Sequence, residues 1–155
     1  MSVRNWLRLC VVLPLIAGSL GVSAAEVSNP EEEIRYRQSV MNVMGRARAE
    51  IQAMIKSGNY DAAVATSNAN LLVLLAPLSA RGYGPGTEKG APTKAELKIW
   101  KEPAKYKQSH DKMLLEVAKL PKAAANKDAM KEAVGNLAKA CKGCHDAYAL
   151  SEFRN

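Results

Sequence analysis

From Asn29 onward the chain repeats its apolar residues at helical spacing in four successive stretches, with no strand-like alternation between them. That pattern restricts the fold to packed helices. The first stretch opens at SNPEEE, where Asn29 is a good cap, Pro30 suits the first helical position and three glutamates sit at the positive end of the dipole. Ile34, Met41, Met44, Ile51 and Ile55 share one face, and KSGN ends the helix near Gly58. The second stretch runs from about Tyr60 to Leu78 and is most apolar at NLLVLLAPL. Pro77 and then RGYGPGTEKGAPTKAE break it, and four glycines and two prolines in sixteen residues make that segment a loop. Loops this long in small domains are often functional. The third helix starts around Pro103 and ends before Pro121, with Tyr106, His110, Met113, Val117 and Leu120 forming a heptad-spaced seam. The fourth begins near Asn126 and runs to about Leu150, its inner face carrying Met130, Val134, Leu137, Cys141, Cys144 and Tyr148. Four helices joined by short connections and one crossover loop predict an all-α, antiparallel four-helix bundle.

The 155 residues suffice for one domain with a real core, and aromatics are scarce at 5%, with a single Phe. The N-terminus reads as an export signal. Arg4 and Arg8 precede the apolar run LCVVLPLIAGSL, and GVSAAE places small residues where a signal peptidase cuts, so cleavage after Ala25 is expected. The run is too short, and too broken by Pro14 and Gly18, for a retained anchor. The domain reading is therefore a cleaved signal over 1–25 and a periplasmic helical domain over 26–155, with no membrane association after cleavage. Cleavage removes Cys10 and lowers the formal charge from +7 to +5. This modest surplus fits docking to acidic partners or lysines that solvate helix faces. No basic run interleaved with aromatics points to nucleic acid.

Cys141 and Cys144 are then the only thiols, in the stretch KACKGCHDAY with His145 directly behind. On a helix the three side chains point to one side. Haem c needs that arrangement, two thiols for the vinyl groups and an adjacent imidazole for the iron. Gly143, a poor helix residue, leaves room for the ring. A redox disulfide belongs at a helix start within an α/β pattern. Structural zinc wants four ligands, and here His110 would have to complete the set. An i,i+3 disulfide on a continuous helix is strained.

The ending CKGCHDAY on the last helix resembles the cytochromes c′, and three further stretches are similar to that family in the same order: RYRQSVM at 35–41, YGPGTE at 83–88 and KIWKEPAKYKQ at 98–108. The resemblance implies one covalently attached haem c, with Cys141 and Cys144 as thioether anchors and His145 as the only strong axial ligand. It implies Arg37 and Gln38 against the haem and its propionates, Thr87 and Glu88 bordering it from the crossover loop, and Met41 over the sixth coordination face. It also implies a homodimer through the first two helices. Two departures stand out: Ala149 where the family commonly has a basic residue, and Ala80 near where a tryptophan is frequent.

With one axial ligand a haem binds small gases as well as passing electrons, whereas with two it mainly shuttles electrons. The leading expectation is a five-coordinate haem protein, not an enzyme, that binds NO or CO under an apolar cap and exchanges electrons with an unidentified redox partner. The alternative is a six-coordinate low-spin carrier with Met41 or His110 as second axial ligand. His110 lies on the apolar seam, where it must find either a hydrogen bond or a ligand. An enzyme reducing nitrogen oxides or peroxide lacks an identifiable distal acid–base group. A haem-free helical binding module is the remaining class.

Overall fold

The computed structural model describes residues 29–150, and the expected signal segment lies outside them. Four long helices carry the fold: α1 (Pro30–Ser57), α2 (Ala62–Leu75), α4 (Pro103–Val117) and α6 (Lys127–Tyr148). The single turns α3 (Lys98–Lys101) and α5 (Leu120–Ala123) precede α4 and α6 respectively. Caps set the boundaries as the sequence implies. Asn29 Oδ1 accepts from Glu31 N (3.1 Å), Asp61 Oδ1 from Ala63 N (2.8 Å), and Asn126 Oδ1 from Asp128 N (2.9 Å). Gly58 ends α1 in the left-handed conformation, φ 82°. The second helix ends earlier than expected. Pro77 tightens Ala76–Ala80 into a 3-10 helix, which Ser79 Oγ reinforces by donating to Ala76 O (2.7 Å).

Consecutive long helices pack side by side and α6 closes back on α1, giving an antiparallel four-helix bundle. One end is filled. Ile51, Leu72, Leu120, Met130 and Leu137 are all essentially inaccessible there. The other end, where the start of α1 meets the end of α6, is left hollow. Over it lies the crossover segment 81–97, tied to α6 by Glu96 N→Tyr148 O (2.8 Å) and Leu150 N→Lys94 O (2.9 Å).

Gly82 sets the start of that segment. Its φ is 77°, and a Cβ there would stand 2.6 Å from Glu33 O of α1. Gly82→Ala is expected to cost at least about 2 kcal/mol from backbone strain alone. A drop in thermal midpoint checks this, and an unchanged midpoint refutes the close approach.

Candidate haem site

The hollow end is a cavity of about 550 Å³ whose wall includes Cys141, Cys144 and His145 of α6, Met41 and Met44 of α1, and Met113 of α4. The helical repeat places both thiols on the cavity side one turn apart, and both are free. His145 follows at the mouth, exposed toward solvent. A Cβ built on Gly143 would meet nothing within 4 Å, so the protein's own packing does not demand glycine there.

Burial raises the Cys141 thiol, with Arg48 pulling partly the other way. Burial, and then the neighbouring Cys141, push Cys144 up to about 11. Desolvation lowers the His145 imidazole and favours its neutral, ligand-competent form. Because the Cys144 value is raised on folding, the protonated thiol stabilises the haem-free fold below pH 9.0, and that contribution fades as pH rises toward about 11. Iodoacetamide should therefore alkylate the folded haem-free chain at neutral pH at least about tenfold more slowly than a free thiol. Mass spectrometry over a pH series reads the rate. Equal rates would show that the thiols are not buried.

Arg37 is only 2% exposed and lies at the cavity edge, but it faces the crossover segment. Its guanidinium donates to Gly82 O, to Thr87 O (3.0 Å) and to Thr93 Oγ1 (2.8 Å). It also lies over the Tyr83 ring, 4.5 Å from the centroid. Desolvation by burial lowers its pKa. Gln38 Nε2 donates to Pro92 O (2.8 Å), fastening the same segment. Both residues line the cavity, and their observed hydrogen bonds hold the loop. Thr87 and Glu88 differ from expectation, since neither is on the cavity wall. Thr87 is buried one layer back, where its hydroxyl donates to Gly84 O (2.7 Å) and its carbonyl receives Arg37.

His110 is on the wall and its Nε2 is hydrogen-bonded. Its Nε2 lies 3.0 Å from Ala76 O, an acceptor only, so this nitrogen carries the proton; Ser79 Oγ stands 3.2 Å away. Ser79 lines the cavity as well, and both hydroxyl and imidazole point their hydrogens at Ala76 O. Sequence reasoning missed Ser79 and Thr93. Neither stands in an apolar pattern or a motif, and only the fold brings them to the site. Tyr83, Tyr106 and Tyr148 also line the wall, with Asn42 and Lys94, and burial raises the phenols of Tyr83 and Tyr106.

Among the described residues no group of three or more His, Cys, Asp or Glu side chains is placed to hold a metal ion, so the zinc reading has no ligand set. The residues do fit a covalently held porphyrin. Two free thiols one turn apart and an adjacent imidazole face a cavity within the roughly 300–1,000 Å³ typical of cofactor pockets. A helical bundle hollow at one end, with Cys-x-x-Cys-His in the wall, defines a c-type haem protein.

Comparison with known proteins gives the family. The family model described as Cytochrome C' matches residues 32–149. The cytochrome c' of Rubrivivax gelatinosus is 36% identical over 126 residues, 79% of this chain and 98% of that one. Its crystal structure superposes with a TM-score of 0.76 at 34% identity, covering 81% of this chain and 100% of the other. A cytochrome c prime variant from Alcaligenes xylosoxidans, solved as a nitric oxide complex, superposes with a TM-score of 0.73 at 34% identity, covering 80% and 98%. The chain belongs to the cytochrome c′ family, itself a reference case of the up-down four-helix bundle, and carries covalently attached haem c.

Proposed function

We propose that this is a periplasmic haem protein, exported by its segment 1–25, in which His145 is the only protein ligand to the iron, and that it binds NO or CO and passes single electrons. Bound haem supplies an iron that can take a diatomic ligand and change oxidation state. The chain's residues supply the rest. Cys141 and Cys144 anchor the ring. Neutral His145 holds one side. Met41, Met44 and Met113 give the cavity an apolar part of its wall. The observation that carries the reading is the commitment of His110 Nε2–H to Ala76 O, which turns that proton away from any ligand. The nitric oxide complex of the Alcaligenes xylosoxidans variant supports the choice of gas. No acid–base catalyst is proposed, and the protein is read as a carrier and gas binder.

Ferric and ferrous absorption spectra before and after NO test this. High-spin bands that shift on exposure are expected, and a low-spin spectrum indifferent to gas refutes the five-coordinate site. The alternative six-coordinate carrier draws on Met41 and His110 both lining the cavity. Under the five-coordinate reading, Met41→Ala and His110→Ala leave the spin state unchanged. Met41→Ala should also bind CO more tightly by up to about tenfold, because a bulky side chain leaves the open face. If either substitution converts a low-spin spectrum to high-spin, that residue is a ligand.

A homodimer through α1 and α2 is part of the proposal. Leu74 is 68% exposed, Val43 45% and Val73 40%, an apolar face that a second copy would cover. Sedimentation of the wild type and of Leu74→Lys distinguishes dimer from monomer.

A further inference from the structure

We infer that a second depression, outside the haem cavity, is the docking point for an acidic one-electron donor protein, and that the electron enters through the Tyr83–Tyr106 contact. The inference rests on the electron-transfer half of the proposed function. The depression holds about 510 Å³ and includes Arg81, Trp100 and Pro103. Tyr83, Ile99 and Tyr106 line both the depression and the haem cavity, so a single layer of side chains separates the two.

That layer is aromatic in a chain poor in aromatics. Of the seven tryptophans and tyrosines in the sequence, four stack in one file. Ring centroids lie 5.7 Å apart from Trp100 to Tyr83, 5.2 Å from Tyr83 to Tyr106 and 5.4 Å from Tyr106 to Tyr148. The file begins in the outer depression and ends on α6, three residues from His145. It is also held in place. Trp100 Nε1 donates to Gly84 O (3.3 Å), and the Arg37 guanidinium lies over both Tyr83 and Trp100. Packed rings of this kind give an electron a continuous contact from surface to cofactor.

Charge selects the partner. Residues 81–107 hold seven basic side chains and three acidic ones, whereas the rest of the described chain is nearly balanced. Arg81, Lys98 and Lys101 are exposed, while Glu102 is paired with Lys105 at 3.3 Å. Arg81 lines the depression itself and Lys98 and Lys101 flank its wall residues Ile99 and Trp100 in sequence, whereas Lys107 on α4 is paired with Asp111 at 2.7 Å. An acidic surface is steered here, and Trp100 with Arg81 supplies the residue types that anchor interfaces. In the transfer, one electron leaves the donor and reduces the haem iron from ferric to ferrous. No bond forms or breaks, and the tyrosines and tryptophan remain closed-shell throughout.

Stopped-flow reduction of the haem-loaded protein tests the site with three donors: reduced flavodoxin, a small acidic protein; the Fe(II)–EDTA dianion; and the hexaammineruthenium(II) dication. Arg81→Glu with Lys101→Glu should slow flavodoxin by at least about tenfold at low ionic strength. The difference should collapse near ~0.5 M salt, and the dication should be slowed less or accelerated. Lys56→Glu with Lys131→Glu carries the same charge change toward the filled end of the bundle and should leave the flavodoxin rate within about twofold of wild type. Trp100→Leu should slow flavodoxin while leaving the absorption spectrum and the NO response intact. Equal slowing by both charge-reversal pairs, or none by the first, overturns the docking site alone. A wild-type haem that no donor reduces overturns the electron-transfer reading on which it rests.

Discussion

Replacing both Cys141 and Cys144 by serine yields a chain that releases its haem into acidified acetone and whose mass equals that of the bare polypeptide. Wild-type protein keeps the pigment and weighs one haem more. Serine cannot form the thioethers, while His145 remains, so any residual haem is held only by coordination and packing. The stability effect is also large. An unfilled cavity of about 550 Å³ would cost roughly 13 kcal/mol if sealed and dry, at about 24 cal/mol per Å³. That matches the whole net stability of a domain, about 5–15 kcal/mol, and the cavity's opening to solvent makes it an upper bound. The haem-free double variant should melt at least about 10 °C below wild type. Calorimetry together with intact mass checks both points, and a variant that keeps covalent haem would refute the anchoring roles. Each single variant retains one thioether and should keep its haem in acidified acetone.

Arg37→Ala should destabilise the protein by about 3–5 kcal/mol, near the upper end for a single substitution. It strands the carbonyls of Gly82 and Thr87, two buried residues of the crossover segment, and removes a cation from the faces of Tyr83 and Trp100. Each buried unsatisfied group costs about 1–3 kcal/mol. The midpoint should fall roughly 10–15 °C for a chain of this size. Arg37→Lys should recover less than half of that, because one ammonium cannot reach three acceptors set in a fork. If propionate contact were the main role of Arg37, lysine would rescue most of the loss and the haem-free protein would be insensitive to either change. Denaturation of the haem-free and haem-loaded forms of both variants separates the two roles.

The residues that were legible in advance are those whose roles depend on neighbours along the chain. Asn29 and Asn126 cap helices by bonding two or three residues ahead, and Cys141, Cys144 and His145 meet because a helix returns to the same face each turn. Less legible were residues whose partners lie far away in sequence. Arg37 bonds across 45 to 56 positions, and its partners include two backbone carbonyls that no side-chain pattern encodes. Thr87 and Glu88 match a family motif, and neither is among the residues that line the cavity. His110 was narrowed to hydrogen bond or ligand, and the 3-10 turn brings Ala76 O to its Nε2.

The sequence by itself determined the helical class, where most helices start and the placing of Cys141, Cys144 and His145 on one side of the last helix, since these follow from local backbone propensity and the helical repeat. Only the tertiary structure decided how hollow the end of the bundle is, which way Arg37 points and how the aromatic rings line up between cavity and surface. Those properties come from side chains on different helices competing for the same space. That competition is settled by packing, which spacing along one segment does not record.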